Sequence, residues 1–348
     1  MAVNTAATKS DLSRSWRAIV QRYESPDMRR SMWQIANSVV PYLVLWVVAY
    51  KLMSISYWLT LPVCILAGGF LMRCFIIFHD CGHGSFFKSQ RLNHFWGTVT
   101  GLLTFTPYYQ WRHEHAIHHA TSGDLDRRGV GDVWTMTVKE YQDASFFKKA
   151  IYSIFRNPFF MLIFGPLFMF VLMHRFATPR FGKRETFSVI FTDVVFAATL
   201  AVAAMTIGII PWIMVMLPTL MVAGTTGIWM FFVQHQYEGT YWERHENWDY
   251  LTAALKGSSF YKLPKIIQWF SGNIGIHHIH HLSPKIPNYN LQACHDENEL
   301  FQIEPVTFAT SLKSLSFRFW DEDAHKMVWY DALWRRRAKT PQLTVGAD

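Results

Sequence analysis

What most constrains this chain is that its apolar residues are bunched into long unbroken runs rather than scattered periodically. A run approaching roughly 20 apolar residues is long enough to cross a bilayer as a helix. The first two, about Ser38 to Tyr50 with its flanks and Ile55 to Phe78, are separated by a short turn carrying Lys51 and read as a helical hairpin. Arg73, near the end of the second run, is expected to snorkel toward the interface. Thr98 to Pro107 is too short to span and reads as re-entrant or interfacial. Three further runs follow: Pro158 to Met173, Phe187 to Ile207 and Pro211 to Val233. With 51% hydrophobic and only 17% charged residues, the composition is that of a membrane protein.

Ten of the sixteen histidines fall in three short windows: His79-Asp-Cys-Gly-His83, His113-Glu-His115-Ala-Ile-His118-His119 and His277-His278-Ile-His280-His281. On a helix, residues i and i+4 share a face and i+3 lies beside them. His79 and His83 therefore converge, as do His115, His118 and His119, and His277, His280 and His281. His113 and His278 face away. Eight convergent imidazoles exceed one zinc or one octahedral site, which points to two metals. Imidazole suits iron, zinc, copper and nickel, so ligand type leaves the element open. The Glu and Glu-x-x-His set of soluble di-metal bundles does not occur. The bland alternative is satisfied surface or core histidines, or a metal-storage tract. It suits the isolated His94, His174, His295 and His325, but not three windows at ligand spacing just outside predicted spans.

If the windows on either side of the later runs build one site, an even number of spans separates them, and one of the three runs does not cross. Pro158 to Met173 is the shortest and contains Gly165-Pro166, so it is expected to be interfacial or re-entrant. Arg175, Arg180, Lys183 and Arg184 then stay on the cytoplasmic side with the N-terminal arginines. The expected fold is all-α and integral to the membrane: about four transmembrane helices, interfacial or re-entrant helices, and a cytoplasmic helical cap carrying the histidines. One domain covers 1–348. It comprises an N-terminal arm (1–34), a first hairpin (35–78), a cytoplasmic part with the first two windows (79–150), an interfacial helix (151–174), a second hairpin (187–233) and a cap with the third window (234–348). The basic, tryptophan-bearing stretch Trp329 to Lys339 is expected to anchor at the interface, and the arm and the tail after Lys339 to be mobile.

The net charge of +8 reads as topology and contact with anionic headgroups, and no basic stripe with a base-reading motif suggests nucleic acid. Cys64, Cys74, Cys81 and Cys294 are too few and wrongly placed for a disulfide framework, so a reducing compartment suffices. The first thirty residues hold six basic side chains but no apolar core of signal-peptide length.

The strings HDCGH, HAIHH and HHIHH resemble the three histidine boxes, HxxxH, HxxHH and HxxHH, of the membrane fatty acid desaturases. Their flanks, FHDCGHGSFF, HHATSGDLDRRGVGDVWT, FVQHQYEGTYW and GNIGIHHIHHLSPKIPNYNL, are similar to the bacterial and cyanobacterial delta-12 (omega-6) branch, and the likeness runs from about Tyr23 to about Phe301.

The resemblance implies a non-haem di-iron enzyme with O2 as co-substrate. The enzyme so implied is an oxidoreductase acting on paired donors, which reduces O2 to water while placing a cis double bond in a membrane lipid acyl chain, at delta-12 of an oleoyl group. It also implies a ninth metal ligand, matched here by His235, and an asparagine assisting one metal through water, for which Asn273 is the candidate. Among nearby carboxylates, Asp80, Asp124, Asp126 and Asp132 are candidates to hold the second N–H of a ligand imidazole, or to pair with Arg127 and Arg128 instead. Neither an HPGG haem motif nor an iron–sulfur cysteine set is present, so a separate ferredoxin-like or cytochrome-type donor is expected. The inner membrane of a bacterium is the expected location, with the active site and both termini cytoplasmic. Two rivals remain: a di-iron hydroxylase of alkanes or lipids, and a membrane metal-binding or transport protein, which would place its ligands within the spans.

Overall fold

The computed structural model describes residues 16–333. The sequence expectations for the start of the arm and for the tail, including most of Trp329 to Lys339, lie outside these residues.

The first hairpin is α1 (Met28–Leu52) and α2 (Tyr57–His83). Asp27 caps α1 by accepting from Arg30 N. Gly84 ends α2 in the left-handed region at φ 70°, where Ser85 N bonds Asp80 O at 3.0 Å. The first histidine box is thereby the last turn of a long apolar helix. Next come α3 (Gln90–Leu103), which begins well before the apolar stretch at a Ser89 cap, and α4 (Tyr108–Thr121), which carries the second box. A loop then leads to β1 (Met136–Thr137), α5 (Val138–Asp143) and α6 (Phe146–Phe155).

The run around Gly165-Pro166 is π-helical, over Phe160–Phe164 and Leu167–Leu172, and is bent by 67° from α6. Pro166 has no N–H to bond a carbonyl in the preceding turn. The Leu162 carbonyl accepts instead from Thr225 Oγ1 at 2.8 Å, a hydroxyl on the neighbouring helix. This is how a broken helix stays satisfied in an apolar setting.

The second hairpin is α7 (Lys183–Thr206) and α8 (Ile209–His235). Among the described residues four helices, α1, α2, α7 and α8, are long and apolar enough to cross a membrane, as the sequence suggested; the bent pair makes a fifth if taken as one span. Large apolar side chains such as Val44, Ile65, Val194 and Ile210 lie exposed on them, as lipid contact requires. At the α2–α8 crossing a Cβ on Gly68 would sit 2.6 Å from Val222 Cβ, so only glycine allows this approach.

Arg73 does not snorkel outward. It is buried, gives Nη1 to the Trp269 carbonyl and lies 3.8 Å from the Trp269 ring centroid. Protein groups replace the water it would otherwise seek. Arg175 pairs at 2.7 Å with Asp193, an acid inside α7 that lone burial in lipid would penalise.

After α8 the chain forms α9 (Tyr250–Lys256), β2 (Tyr261–Lys262), α10 (Lys265–Phe270), α11 (His277–Leu282), α12 (Asn288–Asp296), β3 (Val306–Thr307), α13 (Phe308–Ser311), β4 (Phe319–Asp321) and β5 (Lys326–Val328). The fold is mostly helical but not purely so. The strand β1 pairs parallel with β4, which pairs antiparallel with β5, and β2 pairs parallel with β3. Strands of two or three residues carry too little alternation to be read from sequence.

Candidate metal centre

Four separate segments deliver histidines to one place: the last turn of α2, the second half of α4, the end of α8, and α11. Ser259 ties the last two together, since its N–H bonds Gln234 O at 3.0 Å and its carbonyl accepts from His277 N at 3.2 Å. The nine imidazoles singled out in the sequence fall into two groups. His79, His83, His115, His119 and His280 form one, and His118, His235, His277 and His281 the other, each with its ligand atoms within 4.8 Å of one another.

Helical spacing explains the division. In α4, His115 and His119, four apart, share the first group while His118 turns to the second. In α11, His277 and His281 share the second group while His280 crosses to the first. Each short helix thus serves both groups, and the rings of His119 and His281 stack at 4.1 Å between them.

The spacing of nitrogens fits a metal. Nε2 of His119 lies 3.2 Å from that of His115 and 3.1 Å from that of His280. In the second group, His235 Nε2 lies 3.2 Å from His118 Nε2 and 3.0 Å from His277 Nε2. Imidazole–metal bonds of about 2.1 Å place two ligands at right angles about 3.0 Å apart. His83 Nε2 is buried with no hydrogen-bond partner at all. Burial, reinforced by neighbouring imidazoles, pushes His115, His119, His277, His280 and His281 well below the usual histidine range. Neutral rings with converging lone pairs are what a cation needs and what a protein without one has little reason to assemble.

The outer nitrogens are held selectively. His79 Nδ1 meets Asp80 Oδ1 at 3.0 Å, and the other oxygen of Asp80 accepts from Asn288 N at 2.6 Å and Nδ2 at 2.8 Å. His118 Nδ1 meets Asp132 Oδ1 at 2.5 Å, and His235 Nδ1 donates to Gly257 O at 3.2 Å. Such partners fix the tautomer and ring orientation of a metal-bound histidine.

Of the sequence candidates for this supporting role, Asp80 and Asp132 meet ligand rings, while Asp124, Asp126 and Asn273 stand elsewhere. Asp124 is taken by Arg127 Nε at 2.6 Å and His245 Nδ1 at 2.8 Å, and Asp132 holds the ring instead. The reason is the loop after α4, which folds Asp124 toward the segment after α8 through Leu125 N to Glu243 O. Asn273 sits at φ 59° beside Gly272 in a turn pressed against α2, and its amide donates to Asn288 O at 3.3 Å. Its link to the histidines runs through Asn288 and Asp80. Asp126 pairs with Arg244, and Arg128 with Glu140.

His113 and His278 do turn away. His113 stacks on Phe181 and meets Glu185, while His278 donates to Phe301 O at 2.8 Å. Asn288 and Gly257 were not singled out from sequence. The role of a backbone carbonyl leaves no mark on residue type, and Asn288 is brought in only by the turn after Pro287.

A model of the fatty acid desaturase family matches residues 56–305. The chain is 46% identical over 315 residues to a fatty acid desaturase of Bacillus subtilis, covering 90% of each protein. It is 28% identical over 258 residues to the sn-1 oleoyl-lipid 12-desaturase of a Synechocystis strain, covering 68% of each. The same organism's sn-1 acyl-lipid omega-3 desaturase (ferredoxin) is 25% identical over 247 residues, 68% of this chain and 66% of that one. A family match over most of the chain, together with histidines gathered beneath four lipid-facing helices, places this membrane protein in the fatty acid desaturase family.

Proposed function

We propose that the nine histidines hold two iron ions, and that with O2 the chain places a cis double bond at delta-12 of an oleoyl group in membrane lipid. The observation that carries this reading is the division of nine histidines, eight of them buried and His83 partly so, into two adjoining groups at the end of lipid-exposed helices. The delta-12 position is supported by the flanks of the boxes and by the Synechocystis relative whose name specifies that bond.

Iron, when bound, supplies the oxidation itself: O2 and two electrons from a donor take up two hydrogens from adjacent methylenes and two protons, giving two waters. The protein's own contribution is positioning. Neutral imidazoles present lone pairs, Asp80, Asp132 and Gly257 O fix three of the rings, and burial shields the histidine rings from bulk water. No side chain has to act as acid or base on an unactivated methylene. The electrons come from a separate ferredoxin-like or cytochrome-type protein. The centre and both termini face the cytoplasm, consistent with the arginines flanking the spans.

Expression in a host rich in monounsaturated lipid, followed by gas chromatography of its fatty acids, tests the reading. A new diene with bonds at positions 9 and 12 is expected. A double bond elsewhere overturns the position alone, and hydroxylated lipid without a new double bond overturns desaturation.

A further inference from the structure

Arg156 stands at the bend between α6 and the π-helical segment, 1% exposed. Its polar contacts are Gln236 Oε1 at 2.8 Å and Phe317 O at 3.1 Å, its charge rests 5.1 Å from the Phe232 ring centroid, and Nε and Nη1 have no partner. A buried guanidinium without a carboxylate costs several kcal/mol. An apolar side chain would fill the same space without that cost, so packing alone does not account for it.

Its contact with Gln236 begins a directional chain. Arg156 donates to Gln236 Oε1, which fixes the amide so that Nε2 donates to Thr135 Oγ1 at 3.0 Å. The Thr135 hydroxyl, its oxygen engaged, donates to Val133 O at 2.9 Å. Every donor and acceptor in this series has one assignment. Gln236 directly follows His235, and Val133 directly follows Asp132, which holds His118. Gln236 and Val133 therefore bracket the pair of nitrogens, His118 Nε2 and His235 Nε2, that lie 3.2 Å apart in the second group. Among the described residues no comparable link from the membrane bend reaches the first group, whose support runs through Asp80, Asn288 and Gln34 on α1.

We propose that Arg156, Gln236 and Thr135 are positioning residues for the second group of histidines, locking the end of α8 to the Asp132 loop so that His118 and His235 share one ion. The proposal rests on the reading of that group as a metal site.

Full-length protein purified in detergent and stripped of metal is titrated with cobalt(II) chloride, with visible absorption and a thermal melt recorded. The wild type is expected to bind two ions per chain. In Gln236→Leu, and independently in Thr135→Val, one ion should weaken about tenfold, the lower end of what loss of a ligand's supporting contact costs. Its absorption band should change while the other ion stays unchanged. Gln236→Glu keeps the acceptor for Arg156 and a bond to Thr135, although that hydroxyl then turns from Val133 O, and should weaken the one ion less than Gln236→Leu does. Two ions bound with wild-type affinity and spectrum in both Gln236→Leu and Thr135→Val overturn the proposal. So does equal weakening of both ions in step with a lower melting temperature, the signature of a merely structural role. Fewer than two ions in the wild type would refute the two-metal reading before any variant is compared, and the proposal falls with it.

Discussion

Nε2 of His118 and Nε2 of His235 lie 3.2 Å apart although 117 residues separate them. One residue belongs to the box on α4 and the other ends a lipid-facing span, so their meeting joins the membrane part of the fold to the cap. It also assigns each histidine to a group, and that assignment makes single-site effects separable.

His118→Ala and His83→Ala should each abolish product, but each should remove a different ion. Metal analysis after reconstitution is expected to give about one iron per chain in either variant against about two in the wild type. Full retention of metal in His118→Ala would remove the second box from the centre.

Asp80→Asn and Asp132→Asn leave the ligands in place but weaken their orientation. A loss of about 10- to 100-fold in metal affinity is expected in each, confined to one ion. Asp124→Asn should change it by less than about twofold, because Asp124 faces Arg127 and His245. Metal titration of the three variants side by side separates the carboxylates that support the centre from the one that does not.

Thr225→Val should strand the Leu162 carbonyl that Pro166 leaves open. The expected cost is about 1 kcal/mol, within the range measured for hydrogen bonds between membrane helices. Thermal unfolding in detergent reads it. Gly68→Leu should cost more, since even a Cβ would lie 2.6 Å from Val222 Cβ. A Gly68→Leu protein as stable as the wild type would show that α2 and α8 do not pack this closely.

Cys294 is wholly buried in α12, and that burial, helped by Glu297, pushes its thiol up to about 12. The reactive thiolate is favoured only above that value, so between pH 7 and 9 the thiol should stay protonated and resist alkylation. Iodoacetamide labelling followed by mass spectrometry should find Cys294 unmodified in the native protein at pH 9 and labelled in denaturant. Equal labelling in both states would contradict the buried placement.

His235 entered through the likeness of its surroundings to the desaturases, whereas the four long apolar runs, the three boxes and the convergence of eight box histidines, with His113 and His278 turned outward, were legible in the residues themselves. Long apolar runs have one economical environment, and i, i+3, i+4 spacing fixes direction on any helix, so these features are local and written in residue type. How nine rings divide between two groups was set by the folded arrangement, because it depends on where α4 and α11 cross. That arrangement alone showed that Asp132 rather than Asp124 supports a ring, that Asn273 serves a turn, and that Arg73 is clamped by Trp269. A carboxylate several residues from a box can face any of several neighbours, and the loop path chooses among them. Likewise, nothing in the string Phe155-Arg156-Asn157 announces a tie to His235. Burial and the approach of Gln236, both products of the assembled chain, bring Arg156 into the second group's support.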